Sequence, residues 1–206
     1  MSTREAHTRR HDILDAAEHL MLRQGYAATS MGAICAEVGV TKGALFHHFA
    51  SKEDLARAAL ARWIDKTLAP LAFALDPRSN EDPLKRLQQM FDAMMEWGRA
   101  MTTPGCLAGL FAMEQGLVNE EIHTQVARSF DQFRNSLERE LEAAWSYHHG
   151  GDAPPPDLNA GAFATLILSS LQGSLLLGRV FPEQPTTTDV FDELWPCIEQ
   201  KVLRTE

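Results

Sequence analysis

A short segment near the N-terminus decides the fold of this 206-residue chain. Residues 31–49 read MGAICAEVGVTKGALFHHF, which are two short helical runs joined by a tight turn at Gly39, Val40 and Thr41. Two helices of this length around a glycine corner cross steeply, so the second can project into the major groove of DNA. The segment therefore predicts a helix-turn-helix.

The rest of the chain also follows a helical pattern, because apolar residues recur at helical spacing and strand-like alternation is absent. Ser30, Thr41 and Ser51 stand where N-caps are expected. Pro70 is expected to kink the fourth helix and Pro196 to bend the ninth. The pattern predicts an all-α fold of nine helices, near residues 5–24, 30–37, 42–48, 52–75, 83–101, 105–116, 120–148, 158–180 and 188–204.

Composition limits the class of protein. With 45% hydrophobic and 23% charged residues, the chain can bury a core, which excludes a disordered protein. Cys35, Cys106 and Cys197 are odd in number and far apart, so we expect free thiols, with no metal site and no cofactor.

Residues 1–12 lack an apolar signal region, and polar residues interrupt the apolar stretch 163–181. We therefore expect a cytoplasmic protein with no membrane contact.

The formal charge of −9 is unevenly distributed. Residues 1–62 hold eight Lys and Arg against seven Asp and Glu, whereas residues 63–206 hold eleven against twenty-one. Five of the eight histidines also fall in the first segment. A surface that binds anions such as nucleic acid is therefore expected at the N-terminal end.

With its flanks, the helix-turn-helix segment resembles the DNA-binding domain of TetR-family transcriptional regulators over residues 8–60. The resemblance combines a Gly-aromatic pair after the first helix, a Thr-Ser cap, a Gly-Val-Thr-Lys-Gly turn, an aromatic-His-His-Phe run and a Ser-Lys-Glu helix start. It implies a three-helix DNA-binding domain over residues 1–52. A larger helical domain for ligand binding and dimerisation would follow over residues 53–206.

The same resemblance assigns DNA contacts that suit the side chains present. Small residues on the second helix allow close approach to base edges or thymine methyl groups, and hydroxyl, imidazole and ammonium groups suit phosphates. Arg4, Arg9 and Arg10 are expected to add contacts from an N-terminal arm. The predicted DNA-binding residues are Thr29, Ser30, Thr41, Lys42, Gly43, Ala44, Phe46, His47, His48 and Lys52.

Five side chains in or near the motif have alternative interpretations. Phe46 replaces the tyrosine usual in the family, so a phosphate contact is lost and the ring is expected only to pack. His47 and His48 could instead be solvated residues or metal ligands, although DNA contact is favoured within this motif. His7 and His11 have the spacing of a metal pair, but no further ligand joins them, which favours a solvated helix face.

Residues 83–148 are rich in methionine and aromatic side chains. Such a stripe usually forms core, but TetR-like proteins place a ligand cavity among these helices, and methionine suits a malleable apolar pocket. The expected partner is a small apolar inducer. The predicted ligand-binding residues are Phe91, Met94, Met95, Cys106, Leu107, Phe111 and Phe133.

Cys106 is open to two interpretations. The sequence around it resembles a Gly-Cys helix start found in a TetR subgroup that includes electrophile and oxidant sensors. A thiol in the first turn of a helix is activated by the helix dipole, which supports a sensor. The alternative is a small buried residue at a tight helix start.

Residues 157–181 carry apolar side chains on more than one helix face, which requires cover from another chain. The resemblance points to a homodimer through helices 8 and 9. The sequence thus predicts a homodimeric repressor, released from a palindromic operator by a small apolar ligand or by thiol modification. The alternatives are a helical enzyme, for which no catalytic motif is found, and a carrier of apolar molecules with a vestigial DNA-binding head.

Overall fold

The structure is a computed structural model that describes residues 3–101, 103, 105–114, 119–155, 158–181 and 186–204. The side chains of residues 3–8 and 186–188 lie outside this description. Nine α-helices and no strand occur in the described ranges, which confirms the predicted all-α class. The helices are α1 (Thr3–Gln24), α2 (Met31–Val38), α3 (Lys42–His48), α4 (Lys52–Ala74), α5 (Pro83–Ala100), α6 (Leu107–Glu114), α7 (Glu120–His148), α8 (Ala160–Val180) and α9 (Thr186–Leu203).

Local caps shape the corner between α2 and α3. The hydroxyl of Ser30 accepts the N–H of Ala33 at 3.1 Å, and the hydroxyl of Thr41 accepts the N–H of Ala44 at 3.2 Å. Gly39 ends α2 with φ of +72°, a left-handed conformation that costs glycine little. These contacts confirm the predicted caps and the predicted glycine corner.

The start of α4 is capped reciprocally. The hydroxyl of Ser51 accepts the N–H of Asp54 at 3.1 Å, while the Asp54 carboxylate accepts the N–H of Ala50 at 3.0 Å. Pro70 lies inside α4 and has no N–H to donate, so the helix loses one backbone hydrogen bond there. The predicted kink at Pro70 stays a prediction.

Two helices begin two residues later than the sequence predicts. Gly105 has φ of +152° and so lies outside the helical region, and the sulfur of Cys106 accepts the N–H of Gly109 at 3.4 Å. At α8 the amide oxygen of Asn159 accepts the N–H of Ala162 at 2.9 Å. Cys106 and Asn159 therefore cap the first turns rather than lie inside them.

The chain packs as two compact units. The head unit comprises Met1–Lys66 and Gly105–Ala127, and the body unit comprises Thr67–Pro104 and Arg128–Glu206. The chain passes from one unit to the other within α4, between α5 and α6, and within α7. The head unit thus contains α6 in addition to the helix-turn-helix.

The core of the body unit joins α5, the later part of α7, α8 and α9. The Phe91 ring on α5 lies 5.0 Å from the Phe191 ring and 5.9 Å from the Trp195 ring on α9, measured between centroids. Leu87 and Met90 on α5 are fully buried beside them. Tilted and edge-to-face aromatic contacts of this kind add to the free energy gained by burying the rings.

A buried ion pair links α5 to α7. The guanidinium of Arg86 lies 2.9 Å from the Glu140 carboxylate and also donates to it through Nε at 3.1 Å. The third guanidinium nitrogen, Nη1, donates to the carbonyl of Asn80 at 2.8 Å. Because Arg86 is buried, each of these acceptors offsets part of the cost of removing the cation from water.

The outer face of α8 is apolar. Leu166, Leu176 and Val180 are each more than half exposed. By length and composition alone, α8 could cross a membrane, contrary to the expectation from its polar residues, and only 33% of its most apolar window is buried. α8 is therefore less buried than the core helix of a protein usually is, and its apolar surface is available for a partner.

We expect Glu140→Ala to destabilise the protein by about 3 to 5 kcal/mol, because Arg86 would stay buried without its carboxylate. The free energy of unfolding from urea denaturation at fixed protein concentration measures this loss. The matched control is Glu142→Ala, which removes an exposed carboxylate from the same helix and should change stability by less than about 0.5 kcal/mol. Equal losses in the two variants would contradict the role given to the buried pair.

Candidate nucleic-acid interface

Helix α3 presents one face outward and buries the other. Leu45 and the flanking Phe49 are fully buried, and they anchor the helix to the head unit. Lys42, Gly43 and His47 are exposed on the opposite side. A short helix held this way offers a cation, a glycine backbone and an imidazole to a partner, which is the arrangement of a helix that enters a major groove.

Phe46 lies on the exposed face of α3, with 49% of the residue accessible. The head unit therefore leaves about half of this residue uncovered, and its role toward DNA stays a prediction. The physical reason for the exposure is its register, because Leu45 and Phe49 occupy the buried positions and Phe46 falls between them. The ring is available for apolar contact with a partner.

Positive charge concentrates around the end of α3. The guanidinium of Arg10 lies 4.9 Å from the centroid of the Phe49 ring, and the rings of His47 and His48 meet edge to face at 5.5 Å. The pKa of His48 is lowered by burial, and then by the charges of His47, Arg10 and Arg9. A phosphate bound here would relieve this repulsion.

Thr29 occupies a different place from the one predicted. The residue is 0% exposed, and its hydroxyl donates to the carbonyl of Gly25 at 2.7 Å while Gln24 donates to it at 3.3 Å. The hydroxyl is therefore used inside the turn between α1 and α2 rather than offered to a phosphate. Its neighbour Ser30 is exposed and caps α2.

Lys52 is half-buried at the start of α4. Its ammonium lies 4.2 Å from the centroid of the Tyr26 ring and donates to the carbonyl of Ala27 at 3.3 Å. Burial lowers the pKa of Lys52, and the carboxylates of Glu53 and Glu114 oppose that change. Part of the hydrogen-bonding capacity of this lysine is thus used within the head unit.

Sequence reasoning gave no individual role to Tyr26, whose ring contacts the ammonium of Lys52. Tyr26 is buried, and its hydroxyl donates to the Glu53 carboxylate at 3.4 Å. Burial, followed by the charge and hydrogen bond of Glu53, raises the pKa of Tyr26 to about 12. The Gly-aromatic pair at residues 25–26 was the only sequence signal for this position.

The predicted ligand-binding residues divide between the two units. Phe91, Met94 and Phe133 are buried in the body unit, with Met95 packed against them. The other predicted residues lie in the head unit, where Cys106 is half-buried and where Leu107 and Phe111 are fully buried. Across the described ranges, no three His, Cys, Asp or Glu side chains form a group that could hold a metal ion.

Two family models match the chain. Residues 13–59 match the model described as bacterial regulatory proteins of the tetR family. Residues 83–184 match a model described as the C-terminal domain of LmrA/YxaF-like transcriptional regulators. The chain belongs to the TetR family.

Individual relatives and structures agree with this assignment. The transcriptional repressor DhaR of Mycobacterium sp. (strain GP1) is 25% identical over 197 residues, which cover 92% of this chain and 94% of that protein. The repressor KstR2 of Mycobacterium tuberculosis is 34% identical over 92 residues, 45% of each chain. The crystal structure of a TetR-family regulator from Agrobacterium tumefaciens superposes with a TM-score of 0.81 at 24% identity, covering 96% of this chain and 99% of that one.

This TetR-family protein is a DNA-binding transcriptional regulator. Both named relatives are repressors, and the N-terminal family model spans the helix-turn-helix described above. The alternative of a helical enzyme is not favoured. Membership of the Gly-Cys subgroup stays a prediction.

We expect operator affinity to rise as the pH falls from about 7.5 to about 6. The pKa of His48 is lowered in the free protein, and a bound phosphate favours the protonated imidazole, so binding takes up a proton. For one proton, the association constant can change by at most about tenfold per pH unit. Fluorescence anisotropy with labelled operator over this range measures the slope.

The control is His48→Gln, which retains hydrogen-bonding groups but does not titrate in this range. We expect a shallower pH dependence for this variant than for the wild type. Identical slopes in the two proteins would remove His48 from the DNA contact.

Proposed function

We propose that this regulator represses transcription as a homodimer, binding a palindromic operator through two copies of α3. The exposed face of α3 beside a concentration of positive charge is the observation that supports this proposal. We also propose that the DNA-binding domain covers residues 1–52 and the ligand-binding and dimerisation domain residues 53–206. A cytoplasmic location is part of the proposal, because the operator lies there in a bacterial cell.

Base reading is assigned to the exposed side of α3. Lys42 and His47 carry donors that can reach guanine or other base edges, and Gly43 lets the backbone approach closely. Ala44 is half-buried, so its contribution is a methyl group near the edge of the contact. Phe46 contributes apolar contact with thymine methyl groups or deoxyribose in place of a phosphate hydrogen bond.

Phosphate binding is assigned to groups that flank α3. Ser30 and Thr41 stand at the N-termini of α2 and α3, where backbone N–H groups and the helix dipole favour an anion. His48 and Lys52 supply the imidazole and the ammonium. Thr29 takes no part as a side chain, because its hydroxyl is buried in the turn.

We expect Lys42→Ala and His47→Ala each to weaken binding about tenfold or more, because each dimer loses two donors worth about 1 to 3 kcal/mol apiece. The probe is a duplex that the wild-type chain selects from a randomised pool, and anisotropy at constant salt gives Kd. Lys85→Ala, which removes an exposed lysine from α5, is the matched control and should leave Kd unchanged. Wild-type affinity in both α3 variants would place the base contacts outside Lys42 and His47.

The inducer is proposed to be a small apolar molecule that contacts the methionine and aromatic side chains of the body unit. Phe91, Met94 and Phe133 are buried there with Met95 at the edge, and methionine repacks readily around apolar guests. Leu107 and Phe111 are fully buried on α6 in the head unit, and their contact with a ligand stays a prediction. Cys106 is half-buried at the start of α6, and release by thiol modification remains the second proposed route.

The homodimer is proposed to form through α8 and α9. The exposed leucine and valine side chains on α8 support this, since an apolar helix face in water is unfavourable until it is covered. α8 packs against α9 within the body unit, so the two helices present adjoining surfaces to a second copy. In a symmetric interface each leucine is buried once in each subunit, so its contribution to the free energy of association occurs twice.

We expect Leu176→Glu to raise the dimer dissociation constant by about a hundredfold or more. Leu176 is 58% exposed in the single chain, and each buried leucine contributes about 1.5 to 3 kcal/mol, twice per dimer. Sedimentation equilibrium measures the constant. Gln88→Glu adds the same charge at an exposed position of α5 and should not alter it. A stable dimer of Leu176→Glu would place the interface elsewhere.

A further inference from the structure

The turn between α1 and α2 is held by a carboxylate from α6. The N–H of Ala27 donates to Glu114 at 3.0 Å. Gly25 has φ of +89° and carries no side chain, and a Cβ atom built there would lie 2.6 Å from the other carboxylate oxygen of Glu114. The absence of a side chain at Gly25 therefore lets Glu114 lie directly against the turn backbone.

Two further contacts hold the same turn. The Tyr26 ring lies 5.5 Å from the ring of Phe111 on α6, measured between centroids. Lys52 on α4 places its ammonium 4.2 Å from the Tyr26 ring and donates to the carbonyl of Ala27. The peptide groups of Ala27 are thus bound on their N–H by α6 and on their C=O by α4.

The position of this turn determines where α2 begins. Thr29 is buried at its end and bonds back to Gly25, and Ser30 follows at once as the N-cap of α2. α2 leads through the Gly39 corner into α3. A shift of the turn would therefore be carried into the orientation of the helix that reads DNA.

We propose that Glu114 is a positioning residue for DNA binding, holding the α1–α2 turn so that α3 meets its operator in the correct orientation. The inference rests on the proposed function of α3. It makes α6 a working part of the DNA-binding head, although 87 residues separate Glu114 from Ala27 in the sequence. Removal of the carboxylate leaves the Ala27 N–H without its acceptor, at a cost typical of a lost hydrogen bond.

The test compares three substitutions in the full-length chain. Glu114→Ala removes the acceptor, Glu114→Asp keeps the charge but withdraws it by one methylene, and Glu114→Gln keeps a carbonyl oxygen in place without the charge. We expect Glu114→Ala and Glu114→Asp to bind about tenfold more weakly to the duplex selected by the wild type. We expect Glu114→Gln to bind within about twofold of the wild type, because its oxygen still accepts the Ala27 N–H.

Three controls separate positioning from a change of charge, from non-specific binding and from loss of folding. Glu142→Gln changes the net charge as Glu114→Gln does, at an exposed site on α7, and should leave Kd unchanged. Each variant is also measured on an unrelated duplex, where we expect wild-type affinity, because non-specific binding depends on phosphate charge and not on the orientation of α3. Circular dichroism melting identifies a variant that does not fold. Should Glu114→Ala fail in this respect, Glu114→Asp carries the test.

The outcomes are distinct. Selective loss of affinity for the selected duplex in Glu114→Asp, with recovery in Glu114→Gln, supports the inference. Wild-type or tighter affinity in folded Glu114→Ala and Glu114→Asp overturns it, as does equal loss on both duplexes. If the wild-type chain selects no duplex at all, the proposed function of α3 fails first and the inference falls with it.

Discussion

The buried carboxylate of Glu18 on α1 is the constraint on which the head unit depends. A carboxylate removed from water is costly unless cations neutralise it. Arg62 on α4 donates to Glu18 at 2.7 Å, and Lys66 lies 3.2 Å from its other oxygen. Both cations also contact Asp15 on α1. The first half of α4 is therefore fixed to α1 within the head unit.

Features that depend on neighbours in the sequence could be predicted. Ser30, Thr41 and Ser51 each bond to an N–H three residues on, and Gly39 needs only its own backbone freedom, so the pattern of residue types was sufficient. The burial of the Thr29 hydroxyl could not be predicted in the same way. A hydroxyl at a helix start suits a phosphate, but here the turn folds over it, and only the packing of Tyr26 and Gly25 determines that outcome.

Contacts between distant segments were beyond sequence reasoning. A glutamate at the end of α6 carries no signal that distinguishes it from other surface carboxylates, and its partner is a backbone N–H rather than a side chain. The same applies to Arg57 on α4, which pairs with Glu121 at the start of α7. The helices after residue 83 were predicted to within two residues at most ends, because nearby capping and turn residues determine where a helix begins and ends. The membership of α6 in the head unit arises from packing, which periodicity does not encode.

The negative charge outside the N-terminal segment adds to the selectivity proposed for α3, because it limits which surface DNA can approach. Residues 63–206 carry ten more negative than positive charges, so the phosphate backbone of a DNA duplex repels that region. The N-terminal segment, with Arg9 and Arg10 near the end of α3, is the region where approach to DNA is favoured. Lys52 fits this division, since an ammonium has three donors and can serve the turn and a phosphate together. Charge therefore favours the approach of DNA to the N-terminal segment, and in the proposed binding mode α3 then reads the sequence.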